Sequence, residues 1–106
     1  MLKMILSGAL GHDAEVKEVG KKKVINFDVA VSMDYKDQQG NKVERTEWVR
    51  AAIWKNEGQS TKVADFLKKG QKVLLEGLPS SDGFKSKTGD IKSALNVNVK
   101  ELEFVG

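Results

Sequence analysis

Residues 24–35 read Val-Ile-Asn-Phe-Asp-Val-Ala-Val-Ser-Met-Asp-Tyr, and this run restricts the fold more than any other part of the chain. Ile25, Phe27, Val29, Val31, Met33 and Tyr35 fall on one parity, while Asn26, Asp28, Ser32 and Asp34 fall on the other. An α-helix cannot sort such a pattern onto two faces, because its repeat is 3.6 residues; a strand with one buried face does so directly. The polar stretch Lys36–Lys42 then predicts a turn, with Gly40 free to take a positive φ. A second strand, from about Val43 to Trp54, completes a long hairpin. In it Val49, Ala51 and Ile53 form the apolar row, and Thr46, Trp48, Arg50, Ala52 and Trp54 share the other face. Two tryptophans flanking an arginine on the polar side of a sheet are not what core packing asks for.

The rest of the chain extends this β pattern. A first strand runs from Lys3 to Gly8, and strands resume at Gln71–Gly77 and at Ile91–Phe104, where Ile91, Leu95, Val97 and Val99 alternate. The Gly/Ser/Lys-rich segment Pro79–Asp90 reads as a hairpin carrying Phe84. One short helix is expected, with Val63, Phe66 and Leu67 at i, i+3, i+4 spacing, a cap near Ser60 and a stop at Gly70. Five strands with a helix between the third and fourth make an all-β chain. The order is that of the five-stranded Greek-key barrel called the OB-fold, here one domain spanning residues 1–106.

The 106 residues leave room for one core, and cores of that size gain from association into oligomers. Cysteine is absent, so disulfides, thiolate zinc sites and thiol nucleophiles are excluded together, as fits a cytoplasmic protein. The opening apolar stretch is broken by Ser7 and Gly8 and closed by His12-Asp13, too short for a secretion signal, and no later run is long enough to span a membrane. His12 has no second histidine or cysteine with which to share a metal, so it reads as a surface residue. Neither a phosphate-binding loop nor a Gly-x-Ser-x-Gly elbow occurs, and the acidic residues are scattered, so no catalytic residue, metal or cofactor is expected. Gly8-Ala-Leu-Gly11 matches the GxxG loop of KH domains in letters only, since that loop joins two helices and this one follows a strand.

A net charge of +3 is too slight to argue for nucleic acid, and placement has to decide. Lys36, Lys42, Lys85, Lys87 and Lys92 lie in or beside predicted turns, where they can neutralise phosphates or serve as solvated hairpin tips. Lys21, Lys22 and Lys23 read as solubility residues. Trp48 and Trp54 suit either base stacking or burial against a partner subunit. Tyr35 shares its parity with the core row and suits packing equally well.

Several segments resemble bacterial single-stranded DNA-binding proteins. They are Lys3–Val16, Asn26-Phe27, Thr46-Glu47-Trp48-Val49-Arg50 and Asp65–Gly77, in register along nearly the whole chain. The resemblance implies an OB-fold that binds and protects single-stranded DNA without sequence preference in replication, repair or recombination. It implies a homo-oligomer, tetramer or dimer, and a cytoplasmic, nucleoid-associated place. The family's stacking aromatics correspond to Tyr35, Trp48, Trp54 and Phe84, with Tyr35 and Phe84 standing where tryptophan is commoner and Trp54 where phenylalanine is. Arg50 and the turn lysines would meet the strand's phosphates.

This chain departs from the family at three places. Pro79-Ser-Ser-Asp-Gly83 replaces a basic stretch, which should weaken phosphate contact on that arm. Val49 stands where many members have a histidine at a subunit contact. The sequence given ends at Gly106, before the linker and acidic-apolar tip that recruit other replication proteins in the family, so it reads either as a shortened member or as a trimmed piece of a longer one, and tail-mediated partners are doubtful. Two further readings stay open: an OB-fold oligomerisation or adaptor module of a replication or conjugation complex, and an RNA-binding barrel of the cold-shock kind.

Overall fold

A computed structural model describes residues 1–85 and 91–106, and the side chains of residues 1–80 and 95–106. Its strands are β1 (Met4–Leu10), β2 (Glu15–Val19), β3 (Lys22–Ser32), β4 (Tyr35–Lys36), β5 (Lys42–Val43), β6 (Thr46–Lys55), β7 (Lys72–Lys85) and β8 (Ile91–Val105). The main sheet runs β1-β7-β8-β6-β3-β2, and a further pairing of β1 with β3 closes five of these strands into a barrel. β6 and β8 are parallel, and the other neighbouring strands of this sheet are antiparallel. This is the OB-fold connectivity that the strand pattern predicts.

Closure demands close backbone approach. A Cβ at Gly8 would lie 2.2 Å from the Ala30 carbonyl oxygen, so only glycine lets β1 reach β3 while it also pairs with β7. Gly77 plays the same part at the register shift after Glu76, where a Cβ would sit 2.1 Å from the Asn98 carbonyl oxygen.

The expected alternation appears as alternating burial. Ile25, Phe27 and Val29 of β3 enter the core with Val49 and Ala51 of β6, Val73 and Leu75 of β7, and Val97 of β8. Leu6 and Val49 also belong to this core, so neither is available for subunit contact.

Three elements differ from expectation. The short helix is a 3₁₀ turn, Lys62–Phe66. Three residues per turn align Ala64 with Leu67, and both are buried, while Phe66 stays exposed and meets Phe104 edge-on at 6.3 Å. The strand expected over residues 24–35 ends at Ser32, and Tyr35 belongs instead to a separate two-stranded ribbon, β4–β5. Finally β2, which the sequence did not announce, pairs along β3 from Glu15↔Asn26 to Val19↔Lys22 through a turn in which Gly20 has φ 63°.

Candidate nucleic-acid interface

Directly opposed residues on paired strands project from the same face, so the register writes out the outer surface of the barrel row by row. One row is Lys17–Val24–Trp54 and the next is Glu15–Asn26–Ala52–Asn98. The third is Asp28–Arg50–Asn96–Ser80, and the fourth begins Ala30–Trp48. The two tryptophans therefore stand at opposite ends of a polar field, and small Ala52 and Ala30 leave room above the sheet.

An open groove of about 480 Å³ lies over the first three rows, and Trp48 stands beyond its lining. Trp54 and Arg50 line it with Lys17, Asp28, Asn96 and Asn98. Amide side chains supply both donors and acceptors, Arg50 and Lys17 supply positive charge, and Asp28 adds one carboxylate. Arg50 makes no ion pair with any described residue.

Both indoles are half exposed, Trp48 at 51% and Trp54 at 48% of full accessibility. Each has a seat. Val24, the cross-strand neighbour of Trp54, is only 4% exposed yet stands outside the core cluster, so it is covered from the outer face. Trp48 rests on Gly11: a Cβ there would lie 2.6 Å and 2.7 Å from two carbons of the indole's benzo ring. Gly11 is fixed in turn by its N–H, which donates to the Asp28 carbonyl at 3.2 Å. The outward tryptophans are thus backed by structure on one side and open on the other.

Tyr35, Lys36 and Lys42 do not line the groove. They occupy the β4–β5 ribbon, where Tyr35 opposes Val43 and Lys36 opposes Lys42. Tyr35 is 53% exposed, which removes it from the core its parity suggested. The ribbon is braced at its base. Asp34 accepts from the Arg45 N–H at 3.0 Å and pairs with Lys42 Nζ at 3.6 Å, while the Met33 N–H donates to the Arg45 carbonyl at 2.8 Å. The Arg45 hydrogen bond, aided by Lys42, holds the Asp34 carboxyl below its ordinary value. At the tip, Asp37 accepts from the N–H groups of Gln39 and Asn41, and Gly40 takes φ 81°.

The expected site residues Phe84, Lys85 and Lys92 lie on β7 and β8, but their side chains fall outside the described ones, and Lys87 falls outside the described residues altogether. Conversely, the groove contains residues that sequence reasoning did not select. Asn26 and Asp28 share the polar parity of β3, and Asn96 and Asn98 that of β8, which was a usable signal. Lys17 gave none, because its strand was not foreseen.

Known proteins resemble this chain in sequence and in fold. The family model described as the single-strand binding protein family matches residues 1–105. Single-stranded DNA-binding protein 1 of Chlorobaculum tepidum is 38% identical over 110 aligned residues, covering 98% of this chain and 64% of the relative. The single-stranded DNA-binding protein of Neisseria meningitidis serogroup A is 35% identical over 105 residues, covering 98% and 59%. The chain thus spans 59% to 64% of the length of these two relatives.

Among solved structures, a Plasmodium falciparum SSB in complex with ssDNA superposes with a TM-score of 0.78 at 20% identity, covering 100% of this chain and 96% of that one. The small single-stranded DNA-binding protein from Streptomyces coelicolor gives 0.79 at 13% identity, covering 98% and 94%. At these identities the likeness is one of fold. With the family model matched along nearly its whole length, the chain belongs to the single-strand binding protein family.

Proposed function

We propose that the chain binds single-stranded DNA on the outer face of β3, β6 and β8, without sequence-wide preference and without catalysis. The observation that carries this reading is the pair of half-exposed, backed tryptophans on one sheet face with Arg50 between them along β6. Flat π faces accept any base, at about 1–3 kcal/mol each, and unpaired cations neutralise the backbone between stacked bases. The relatives' names as single-stranded DNA-binding proteins support it. Tyr35, Lys36 and Lys42 on the braced ribbon would fold over the bound strand, and Phe84, Lys85, Lys87 and Lys92 are proposed as further contacts to it. With such a ligand the protein would work in the cytoplasm at the nucleoid, on strands exposed by replication, repair or recombination.

The protein would act as a homo-oligomer. Ile5, Leu74 and Val105 are exposed on the outer face of β1, β7 and β8, away from the groove, and offer the apolar surface that Leu6 and Val49 do not. Among the described residues no helix is long and apolar enough to cross a membrane.

Titration with oligo-dT tests the function directly. Saturable quenching of tryptophan emission is expected, because bound bases would lie on the indoles. Absence of binding by an independent method such as anisotropy would refute it and favour an adaptor role.

A further inference from the structure

The groove contains one group that a surface built only for phosphate would exclude. Asp28 stands opposite Arg50 across β3 and β6, on the same outer face, and both line the groove beside Asn96. No ion pair joins them within 4.0 Å, and Asp28 makes no salt bridge with any other described residue. Its backbone is pinned by the Gly11 N–H at 3.2 Å, so its position on the sheet is fixed. A carboxylate only accepts hydrogen bonds and repels a phosphodiester, so this part of the groove favours a base edge over the backbone.

We propose that Asp28 and Arg50 together form a guanine-selective subsite within the binding face. The inference rests on the single-strand binding reading and refines it. Guanine presents two adjacent donors, N1–H and N2–H, which the two carboxylate oxygens of Asp28 can accept side by side. It also presents two adjacent acceptors, O6 and N7, which match the guanidinium of Arg50. Cross-strand neighbours have Cβ atoms about 4.5–5.5 Å apart, which puts both side chains within reach of one base. Thymine offers a single N–H between two carbonyls that a carboxylate repels. Cytosine and adenine each offer an amino group but no paired donors. Stacking on the tryptophans stays indifferent to base identity, so the preference is confined to one nucleotide of the bound strand.

The test compares short oligo-dT with the same strand carrying one central guanine, inosine (which lacks the N2 amino group) or 7-deazaguanine (which lacks N7). The wild-type protein is expected to favour guanine over thymine by about 5- to 10-fold, the low end for a bidentate contact. Inosine and 7-deazaguanine should each give back a large part of that ratio. In Asp28→Asn the guanine-to-inosine ratio should fall towards one.

Equal affinity for all four strands would overturn the subsite and leave the binding reading intact. A guanine-to-inosine ratio that survives Asp28→Asn would overturn the role of Asp28, even if the substitution tightened binding to every strand alike. Failure to bind any strand, all-thymine included, would overturn the binding reading and the subsite with it.

Discussion

Gly11→Ala isolates the seat of Trp48 from the ring itself. The added Cβ would sit 2.6 Å and 2.7 Å from two indole carbons, whereas non-bonded carbons rest at about 3.5–4.0 Å, so the ring must move outward by about 1 Å. Gly11 does not have a positive φ, so its backbone admits alanine, and the N–H to the Asp28 carbonyl is kept. Stability should therefore change by less than about 1 kcal/mol. The reduced freedom of the unfolded chain, worth about 0.4–1 kcal/mol, offsets the shift of a ring already half in solvent. Affinity should suffer more. A stack is worth about 1–3 kcal/mol, and a ring displaced by 1 Å should forfeit about 1 kcal/mol of it, or roughly fivefold in oligo-dT affinity.

The assay is oligo-dT titration followed by Trp48 emission in a Trp54→Phe background, with thermal melts alongside. The decisive comparison is a double-mutant cycle: in a Trp48→Ala background the same Gly11→Ala change should cost no affinity. Equal losses with and without the Trp48 ring would refute the seat. So would a large fall in melting temperature with unchanged affinity.

Trp54→Ala should weaken oligo-dT binding by about 1–3 kcal/mol. It should also lose up to about 2.5 kcal/mol of stability, since the hidden half of the indole, about 100 Å², covers Val24; Trp54→Leu, which keeps a cover, should separate the two effects in paired melts and titrations. Log affinity should fall with log salt by about 0.7 per phosphate neutralised, and Lys17→Gln should remove about one such unit if Lys17 meets the backbone; an unaltered slope would exclude that contact. The lowered Asp34 carboxyl stabilises the base of the β4–β5 ribbon fully above its ordinary value of 3.8, and this contribution is lost as pH falls through the still lower folded value. Protection of the Arg45 amide, taken relative to the intrinsic exchange rate at each pH, should therefore fall below about pH 4 in the wild type, with Asp34→Asn showing no such loss.

The parts of the fold that were legible in the sequence are those where one face is buried. Period-two alternation placed Phe27 and Val29 inside and Trp48, Arg50 and Trp54 outside, because a one-residue slip would have put the apolar row in water. Where burial does not constrain the chain, the signal fades. Every residue of β2 is exposed, so no hydrophobic pattern marked it, and Lys17 was hidden with it. Tyr35 continued the core parity of β3 in sequence but not in space, since the strand ends at Ser32 and the ribbon starts its own register. Val63, Phe66 and Leu67 have α-helical spacing, yet a 3₁₀ turn joins Ala64 to Leu67 instead and leaves Phe66 outside.

The site's position on the outside follows from the size of the barrel. Five strands closed by the Gly8 approach enclose only enough space for their own side chains, so a ligand has to lie on the outer face. Asn26, Asp28 and Arg50 are then chain neighbours of core residues: Asn26 lies between Ile25 and Phe27, Asp28 between Phe27 and Val29, and Arg50 between Val49 and Ala51. Packing the core therefore fixes the spacing of the face. Trp48 and Trp54 are six residues apart on one strand, about 20 Å along the surface. Duplex DNA rises about 3.4 Å per base on each strand and keeps its bases turned inward, away from any such face. Both rings can be occupied only by a strand whose bases are unpaired and splayed towards the sheet. The discrimination against duplex that the proposed function requires would then need no dedicated contact, because rings held apart on a rigid barrel would set it.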